Sequence, residues 1–380
     1  MGFGCGAMED LVSMYSGVYR DKKVLITGNS GFKGSWLTVW LLQLGATVVG
    51  YSMDVPSSPS MFNELDLSSR ISHYFGDVRD LDELKKVIIS ERPDFIFHLA
   101  AQAIVSESYK NPIETFGSNV LGTMNVLEVL RGVDFPCIAI LITSDKCYDN
   151  VEWVWGYKET DEIGGKDIYS GSKGAAELVI KSYLHSFFNK EDGRVLIGIG
   201  RAGNVIGGGD WAKDRIISDA MRAWSAGIAV EIRSPNSTRP WQHVLEPLSG
   251  YLVLGKKLFE NRRLHGEAFN FGPKSEQNKT VKELLDSLFK SWQIQGLSSG
   301  FKVAPGDQFK ESALLKLNCD KAQNWLDWLP ILEYEEAIHF VGDWYQNFYM
   351  KKTDMFSFTV EQIIQYKELA KKSQASWSRD

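Results

Sequence analysis

Apolar positions in the first half of the chain fall into short runs divided by glycines and polar stretches. Val24, Leu25 and Ile26 form one run, residues 36–44 continue as an apolar helix-like segment, and Val48 and Val49 form a second run, which predicts β-α-β. The alternation goes on through a polar, helix-compatible stretch over 80–89, an apolar run over 95–99, a helix-like stretch over 119–130 and a run over 138–142. Residues 169–188 then predict a long helix and 195–199 a buried strand, before Gly207, Gly208 and Gly209 interrupt the pattern. Strands alternating with helices predict a parallel sheet covered on both faces. Past about Asp210 the alternation loosens. Helix-like stretches at 282–288 and 334–348, among Pro and Trp residues, predict a smaller α/β unit over the strand ends, where ligands of open parallel sheets lie.

Between the first strand and the first helix stands Gly28-Asn29-Ser30-Gly31-Phe32-Lys33-Gly34, with glycines spaced G-x-x-G-x-x-G. Such a loop turns tightly and lets backbone N–H groups and a helix N-terminus approach a pyrophosphate. An ATP-type P-loop would need Gly-Lys-Ser/Thr, whereas the order here is Lys33-Gly34-Ser35. A dinucleotide is therefore expected, with Gly28, Ser30, Gly31, Phe32, Lys33 and Gly34 around its phosphates. Asp54, 20 positions after Gly34 and just past the second strand, can accept hydrogen bonds from the adenosine ribose hydroxyls, which favours NAD over NADP; a solvated loop aspartate is the alternative. Asp77 and Val78 follow the expected third strand, where the adenine would lie. The predicted fold class is α/β, a Rossmann-type doubly wound parallel sheet with a smaller C-terminal α/β substrate-binding domain.

At 380 residues the chain has room for both units, since single cores rarely grow past about 250 to 300 residues. Residues 1–20, with Gly2, Gly4, Gly6 and three methionines before the first run, predict a disordered leader. Residues 21–205 predict the NAD-binding domain, to which some later segments return, 206–350 mainly the substrate-binding domain, and 351–380 a helical tail. A net charge of −6 argues against a polyanion-binding surface, so no nucleic-acid partner is expected. No apolar stretch approaches the roughly 18 residues of a membrane helix and no signal-peptide layout is visible, which predicts a cytoplasmic protein without a membrane partner. Cys5, Cys137, Cys147 and Cys319 lack paired spacing, and the six histidines are dispersed, so neither disulfides nor a metal site are expected.

Tyr169-Ser170-Gly171-Ser172-Lys173 opens the long helix, and its i, i+4 spacing puts phenol and ammonium on one face. An isolated tyrosine titrates near about 10, so a base role near neutrality needs a neighbouring positive charge, which Lys173 and an oxidised nicotinamide would supply. Upstream, Thr143-Ser144-Asp145-Lys146-Cys147-Tyr148 ends the strand over 138–142, placing polar groups where the sheet meets its ligand crevice. Ser144 is a candidate hydrogen-bond partner for the reacting hydroxyl. Arg201, Asn204, Trp211, Arg215, Arg239 and Asn270 offer cations, hydrogen bonds and a stacking surface for a nucleotide further along.

The succession of the glycine loop, His98-Leu99-Ala100-Ala101-Gln102, Asn119-Val120-Leu121-Gly122-Thr123, Ser144 and Tyr169/Lys173 resembles the extended short-chain dehydrogenase/reductases, over nearly the whole stretch from Lys23 to Tyr349. Within them, Gly31-Phe32-Lys33-Gly34-Ser35-Trp36-Leu37, Ser144-Asp145-Lys146-Cys147-Tyr148, Glu152-Trp153 with Trp155-Gly156-Tyr157, and Arg239-Pro240-Trp241-Gln242-His243-Val244 are similar to the signatures of the CDP-glucose 4,6-dehydratase family. The resemblance implies NAD held also by Leu99, Ala100, Ala101, Gln102, Asn119, Tyr169 and Lys173. It implies substrate contacts from Ser144, Asn204, Trp211, Arg215, Arg239 and Asn270, with Asn204, Arg215 and Arg239 on the diphosphate. It further implies a homodimer through two long helices or a homotetramer.

The implied reaction is redox-neutral, converting CDP-glucose into a 4-keto-6-deoxy sugar nucleotide for deoxysugar biosynthesis of the O-antigen, lipopolysaccharide type. Tyr169 takes the proton of the sugar 4-hydroxyl, water leaves across C5 and C6, and the hydride removed from C4 returns to C6. Asp145 is followed by Lys146 where dTDP-glucose dehydratases have an aspartate and a glutamate. Lys146 serves either as a base in its neutral form or as a cation that stabilises the enolate. The family usually has histidine at Asn29, proline at Ala103, arginine within Ser106-Glu107 and proline at Ile168; the change beside Glu107 leaves the sugar or nucleotide open. A sugar-nucleotide 4-epimerase would share the loop, Ser144 and Tyr169/Lys173 but needs no acid and base beside C5 and C6. A dinucleotide-binding sensor or scaffold would usually lack the tyrosine or the lysine.

Overall fold

The computed structural model describes residues 11–189, 193–274, 277–292, 297, 299–304, 314–351 and 353–378. The predicted alternation appears as β1 (Lys23–Thr27), α1 (Phe32–Gln43), β2 (Thr47–Ser52), β3 (Ser72–Phe75), α2 (Leu81–Glu91), β4 (Phe95–His98), α3 (Gly122–Arg131), β5 (Cys137–Ile142), α4 (Ile168–Phe187) and β6 (Val195–Ala202). Then come α5 (Ile216–Ser225), α6 (Leu245–Glu260), β7 (Ala268–Phe271), α7 (Val281–Trp292), α8 (Tyr334–Gln346) and α9 (Met355–Lys372). Seven strands form one sheet in the order β7-β6-β5-β4-β1-β2-β3, and every pairing in it is parallel. The order reverses between β1 and β4, and the crevice beyond their carboxyl ends is where a doubly wound sheet binds ligands.

Period-two alternation sorts the strands' apolar side chains into two cores. Val24, Ile26, Phe95, Phe97, Ile138 and Ile140 face the side covered by α1 and α6, with Trp36, Trp40, Leu248 and Leu252. Leu25, Ile96, Ala139 and Ile197 face Leu84, Val126, Leu127 and Ile180 from α2, α3 and α4. Three two-stranded ladders, pairing 205–206 with 242–243, 238–239 with 279–280 and 230–232 with 301–303, lie among the later helices.

One expectation for the chain ends changes. Residues 1–10 lie outside the described residues, but 11–20 are no disordered leader: Leu11, Met14, Tyr15 and Tyr19 are each at most 1% exposed. Tyr15 stacks on Trp377 at 5.5 Å, and Tyr19 Oη donates to the Leu252 carbonyl at 2.6 Å. Burial of these large apolar surfaces outweighs the entropy of the preceding glycines. The helical segment expected within 351–380 is α9, which packs on α1 and buries Tyr366. Among the described residues, no helix is long and apolar enough to cross a membrane.

Candidate active site

After β1 the chain turns into α1 through the glycine loop. Gly28 has φ +75°, and a Cβ on it would lie 2.8 Å from the Ala100 nitrogen; one on Gly34 would lie 2.1 Å from the Gly28 oxygen. Both glycines are thus demanded by close backbone packing. Gly31 differs: its Cβ would meet only the Gly28 oxygen, at 3.3 Å. It is the N-cap of α1, and no side-chain hydrogen bond closes that end. Asn29 turns inward, accepting from Ser52 Oγ at 2.7 Å and meeting His73 at 3.1 Å. Ser30 Oγ donates to the Asp54 carbonyl at 2.5 Å, so Asp54 sits beside the loop at the end of β2, its side chain exposed. Asp77 is bound by Arg79 through Nε at 2.8 Å and Nη2 at 2.6 Å. Burial raises its pKa, but the Arg79 contacts outweigh that and hold the carboxyl below its usual range.

The expected cofactor contacts of Gln102 and Asn119 need correction at the level of side chains. Asn119 donates to the Gln102 carbonyl at 3.0 Å and to Ser172 Oγ at 2.8 Å, and accepts from Gln102 N at 2.8 Å. Gln102 Nε2 donates to the Ile104 carbonyl and to Thr115 Oγ1. Asn119 thus ties the loop after β4 to α4 through Ser172, while Gln102 ties it to itself and to Thr115, so both amide groups are already matched by protein partners. Beneath them Thr27 Oγ1, His98 and Thr123 Oγ1 form a buried chain at 2.7 and 3.2 Å. Burial, then Lys173, pulls His98 down to about 3, so it stays neutral.

Ser144 follows β5 as the cap of a single 3-10 turn, Asp145–Cys147. Its Oγ donates to Asp145 Oδ1 at 2.9 Å and accepts from Lys146 N at 3.2 Å. α4 starts one residue before Tyr169, capped by Asp167, whose carboxylate accepts from Ser170 N at 2.9 Å. Lys173 Nζ stands 6.0 Å from the Tyr169 ring centroid. Burial pushes the Tyr169 phenol up to about 12; Asp145 adds to this, while the Ser144 hydrogen bond and Arg215 oppose it. Burial pulls Lys173 down to about 8 against the pull of Cys147 and Glu177. Lys33 falls to about 7 through burial and the charges of Arg215 and Lys173, with Asp145 opposing. The predicted residues Lys33, Asp145, Tyr169, Lys173 and Arg215 are therefore electrostatic neighbours.

A buried ion pair lies behind this corner. Glu177 and Arg201 are 7% and 4% exposed, and the carboxylate takes Arg201 Nε and Nη2, both at 2.8 Å. Thr143 Oγ1 donates to the same carboxylate at 2.5 Å, and Arg201 Nη1 donates to Tyr148 Oη at 2.8 Å. Glu177 extends the i, i+4 series from Tyr169 and Lys173, and that spacing is the signal by which the sequence exposes it. Arg201, offered above as a phosphate cation, is engaged here instead.

Asn204 is half-buried just after β6, and its neighbour Gly203 would bring a Cβ within 3.0 Å of Asp145 Oδ2. Arg215 pairs with Asp210 at 3.1 Å with a third of its side chain exposed, and Arg239 is buried. Two expected substrate residues are corrected. Asn270 is fully buried, donating to the carbonyls of Tyr157 and Asn318 and accepting from Tyr148 Oη, so no polar atom of its side chain is left for a ligand. Trp211, 2% exposed, donates Nε1 to Tyr349 Oη at 3.0 Å and is enclosed by Trp344, Tyr345 and Phe348, so no ring face is left for a base.

Comparison with known proteins agrees with this geometry. The profile of the family described as GDP-mannose 4,6 dehydratase matches residues 25–252. CDP-glucose 4,6-dehydratase of Salmonella typhimurium is 43% identical over 351 residues, covering 92% of this chain and 97% of that one. Among solved structures, an epimerase of Methanothermobacter thermautotrophicus superposes with a TM-score of 0.73 at 24% identity, over 92% of this chain and 98% of its own. A dTDP-glucose 4,6-dehydratase of Bacillus anthracis, solved in complex with NAD, gives 0.70 at 18% identity, over 87% and 99%. These two likenesses concern the fold.

Proposed function

The chain belongs to the GDP-mannose 4,6 dehydratase family and to the sugar-nucleotide dehydratases represented by the Salmonella enzyme, and from this we propose that it converts CDP-D-glucose into CDP-4-dehydro-6-deoxy-D-glucose. The carrying observation is the turn after β5: Asp145 and Lys146 stand directly beside Ser144, whose hydroxyl donates to Asp145 at 2.9 Å and accepts from Lys146 N at 3.2 Å. An epimerase acting at C4 has no use for an acid and a base beside C5 and C6.

The residues present fit a dinucleotide. Gly28 and Gly34 leave no room for side chains, and the uncapped N-terminus of α1 at Gly31 offers backbone N–H groups for a pyrophosphate. In this reading Ser30, Phe32, Lys33 and Asp54 would hold the cofactor at that turn, with 77–78, 99–102 and Asn119 beyond it, and Tyr169 and Lys173, electrostatic neighbours of Lys33, would meet its nicotinamide. NAD in this place supplies a hydride acceptor for C4 that gives the hydride back at C6, so the cofactor is recycled, and its charged ring favours the Tyr169 phenolate.

Ser144 orients the sugar 4-hydroxyl and Tyr169 takes its proton, with cationic Lys173 offsetting the cost of a buried phenolate. The ketone formed at C4 acidifies the C5 hydrogen. Lys146 removes or electrostatically assists loss of that proton, Asp145 protonates the departing 6-hydroxyl so that water leaves, and C5 takes a proton back when hydride reaches C6. Asn204, Arg215 and Arg239 hold the diphosphate through charge-assisted hydrogen bonds. The reading puts the reaction in the cytoplasm, in deoxysugar biosynthesis, carried out by a homodimer or homotetramer.

The test is incubation of the purified protein and NAD with CDP-glucose, UDP-glucose, dTDP-glucose and GDP-mannose separately, followed by mass spectrometry. Loss of one water from CDP-glucose alone is expected. Epimerised sugar without water loss would overturn the reading.

A further inference from the structure

The candidate chemistry is divided between two elements, the turn 143–148 with Ser144, Asp145 and Lys146, and α4 with Tyr169 and Lys173. Backbone hydrogen bonds anchor the flanks of the turn, Thr143 N to the Gly200 carbonyl at 2.9 Å and Gly164 N to the Cys147 carbonyl at 2.8 Å, but leave Ser144 to Lys146 between them loosely closed. Its internal hydrogen bonds are long, Cys147 N to the Ser144 carbonyl at 3.2 Å and Tyr148 N to the Asp145 carbonyl at 3.4 Å, within a single 3-10 turn. Yet both of its ends touch one buried ion pair. Thr143, before the turn, donates to Glu177 at 2.5 Å. Tyr148, after it, receives a hydrogen bond from Arg201 at 2.8 Å, with the guanidinium 5.0 Å from its ring centroid. Glu177 itself belongs to α4, one helical turn past Lys173. Arg201 comes from β6, so the pair links the catalytic helix, both ends of the turn and the central sheet.

We propose that Glu177 and Arg201 form a positioning pair that clamps both ends of the 143–148 turn to the catalytic helix, setting Asp145 and Lys146 against Tyr169 and Lys173 without touching substrate. This rests on the dehydratase reading, in which one sugar pose must serve proton removal at the 4-hydroxyl and elimination across C5 and C6. Displacements of about 1 Å in such arrangements cost on the order of 100-fold in rate. The guanidinium suits the task because its planar fork supplies two N–H groups to the carboxylate and another to Tyr148, which a lysine ammonium cannot match in that fixed geometry. The carboxylate also places a negative charge near Lys173, which supports its cationic form.

Thr143→Val and Tyr148→Phe each cut one end of the clamp while keeping the ion pair, and Glu177→Gln removes its charge. The first readout is amide hydrogen exchange of the 143–148 peptide by mass spectrometry in the protein without substrate. Each variant should exchange there about 10-fold faster while peptides from α7 are unchanged. The second is steady-state dehydration of CDP-glucose. Here kcat should fall about 10-fold in each single-end variant and about 100-fold in Glu177→Gln, with KM within about threefold of wild type. Glu177→Gln alone should also move the alkaline limb of kcat to lower pH. Unchanged exchange in 143–148, or loss expressed in KM with kcat intact, overturns the clamp. A wild-type protein that dehydrates none of the sugar nucleotides overturns the dehydratase reading instead, and the exchange result still decides the clamp.

Discussion

The wall made by the 143–148 turn and α4 and the wall made by residues 204–270 carry similar polar side chains, yet those side chains are occupied differently. On the first, Ser144, Asp145, Tyr169 and Lys173 interact mainly with one another, and burial leaves Tyr169 at about 12 and Lys173 at about 8, both far from the values of free side chains. On the second, Asn270 and Trp211 have every strong partner they can use inside the protein, while Arg215 keeps one ion pair and an exposed flank. Residue type therefore does not separate ligand from strut; unfilled bonding capacity does. A site residue is one whose environment leaves its charge or donors unbalanced until something binds.

The contrast breaks most visibly at Tyr169. Tyr169→Phe deletes the base and leaves the ring, so kcat should fall by roughly 1,000-fold with KM nearly unchanged, within the usual range for acid–base groups. A loss under tenfold in the mass-spectrometric water-loss assay would mean that another group takes the 4-hydroxyl proton. Lys146→Met comes next, at about 100-fold. Run in deuterated water, it should still transfer hydride from C4, visible as transient NADH absorbance, but stop solvent exchange at C5. Unchanged exchange would remove Lys146 as the base and leave it the role of a cation near the enolate.

The second wall yields a paired experiment of smaller size. Arg215→Ala should raise KM for CDP-glucose about 10-fold with little change in Tm, because one charge-assisted hydrogen bond is worth about 1.5–3 kcal/mol. Asn270→Ala should do the reverse, leaving KM alone and lowering Tm by several degrees, since it leaves the Tyr148 hydroxyl proton and the Asn318 carbonyl without their partner at about 1–3 kcal/mol each. If Asn270→Ala raised KM at constant Tm, the residue would belong with the ligands after all.

The same division explains what the sequence made legible. Elements with an uninterrupted period, such as β1, α1 and β5, are readable because their neighbours in space are close in sequence. The loop 28–34, the turn 143–148 and the Tyr169/Lys173 pair are contiguous and carry their geometry with them. β6 is read only to Ile199, whereas it runs to Ala202, because the buried Arg201 looks polar until Glu177 is known to neutralise it. Residues 11–20 look like a leader because of the glycines before them, although Leu11, Tyr15 and Tyr19 recur every fourth position; their partners Trp40, Leu252 and Trp377 are remote. Asn270 likewise depends on Tyr157 and Asn318, which no local pattern can announce.

A titration separates the first wall from the rest of the buried charge. Lys173 loses its proton above about 8, and with it the support for a Tyr169 phenolate, so kcat should decline on the alkaline side around that pH. The smallest effect is at Glu246, 1% exposed on α6, where it accepts from the backbone nitrogens of Ile331 and Leu332 and from Tyr366 Oη of α9. Burial raises it to about 7 against those three donors, with Glu336 adding to the rise. Its folded value lies above the unfolded one, so its contribution to stability is complete below the unfolded value near about 4.3 and is lost as pH rises through about 7. Between pH 5 and 8 the wild type should therefore lose about 2–4 °C of Tm relative to Glu246→Gln. The alkaline limb of kcat should stay where Lys173 sets it in both proteins. A variant that shifts the limb but not the Tm slope would place Glu246 in electrostatic contact with the catalytic wall, and the distinction between the two regions would fail there.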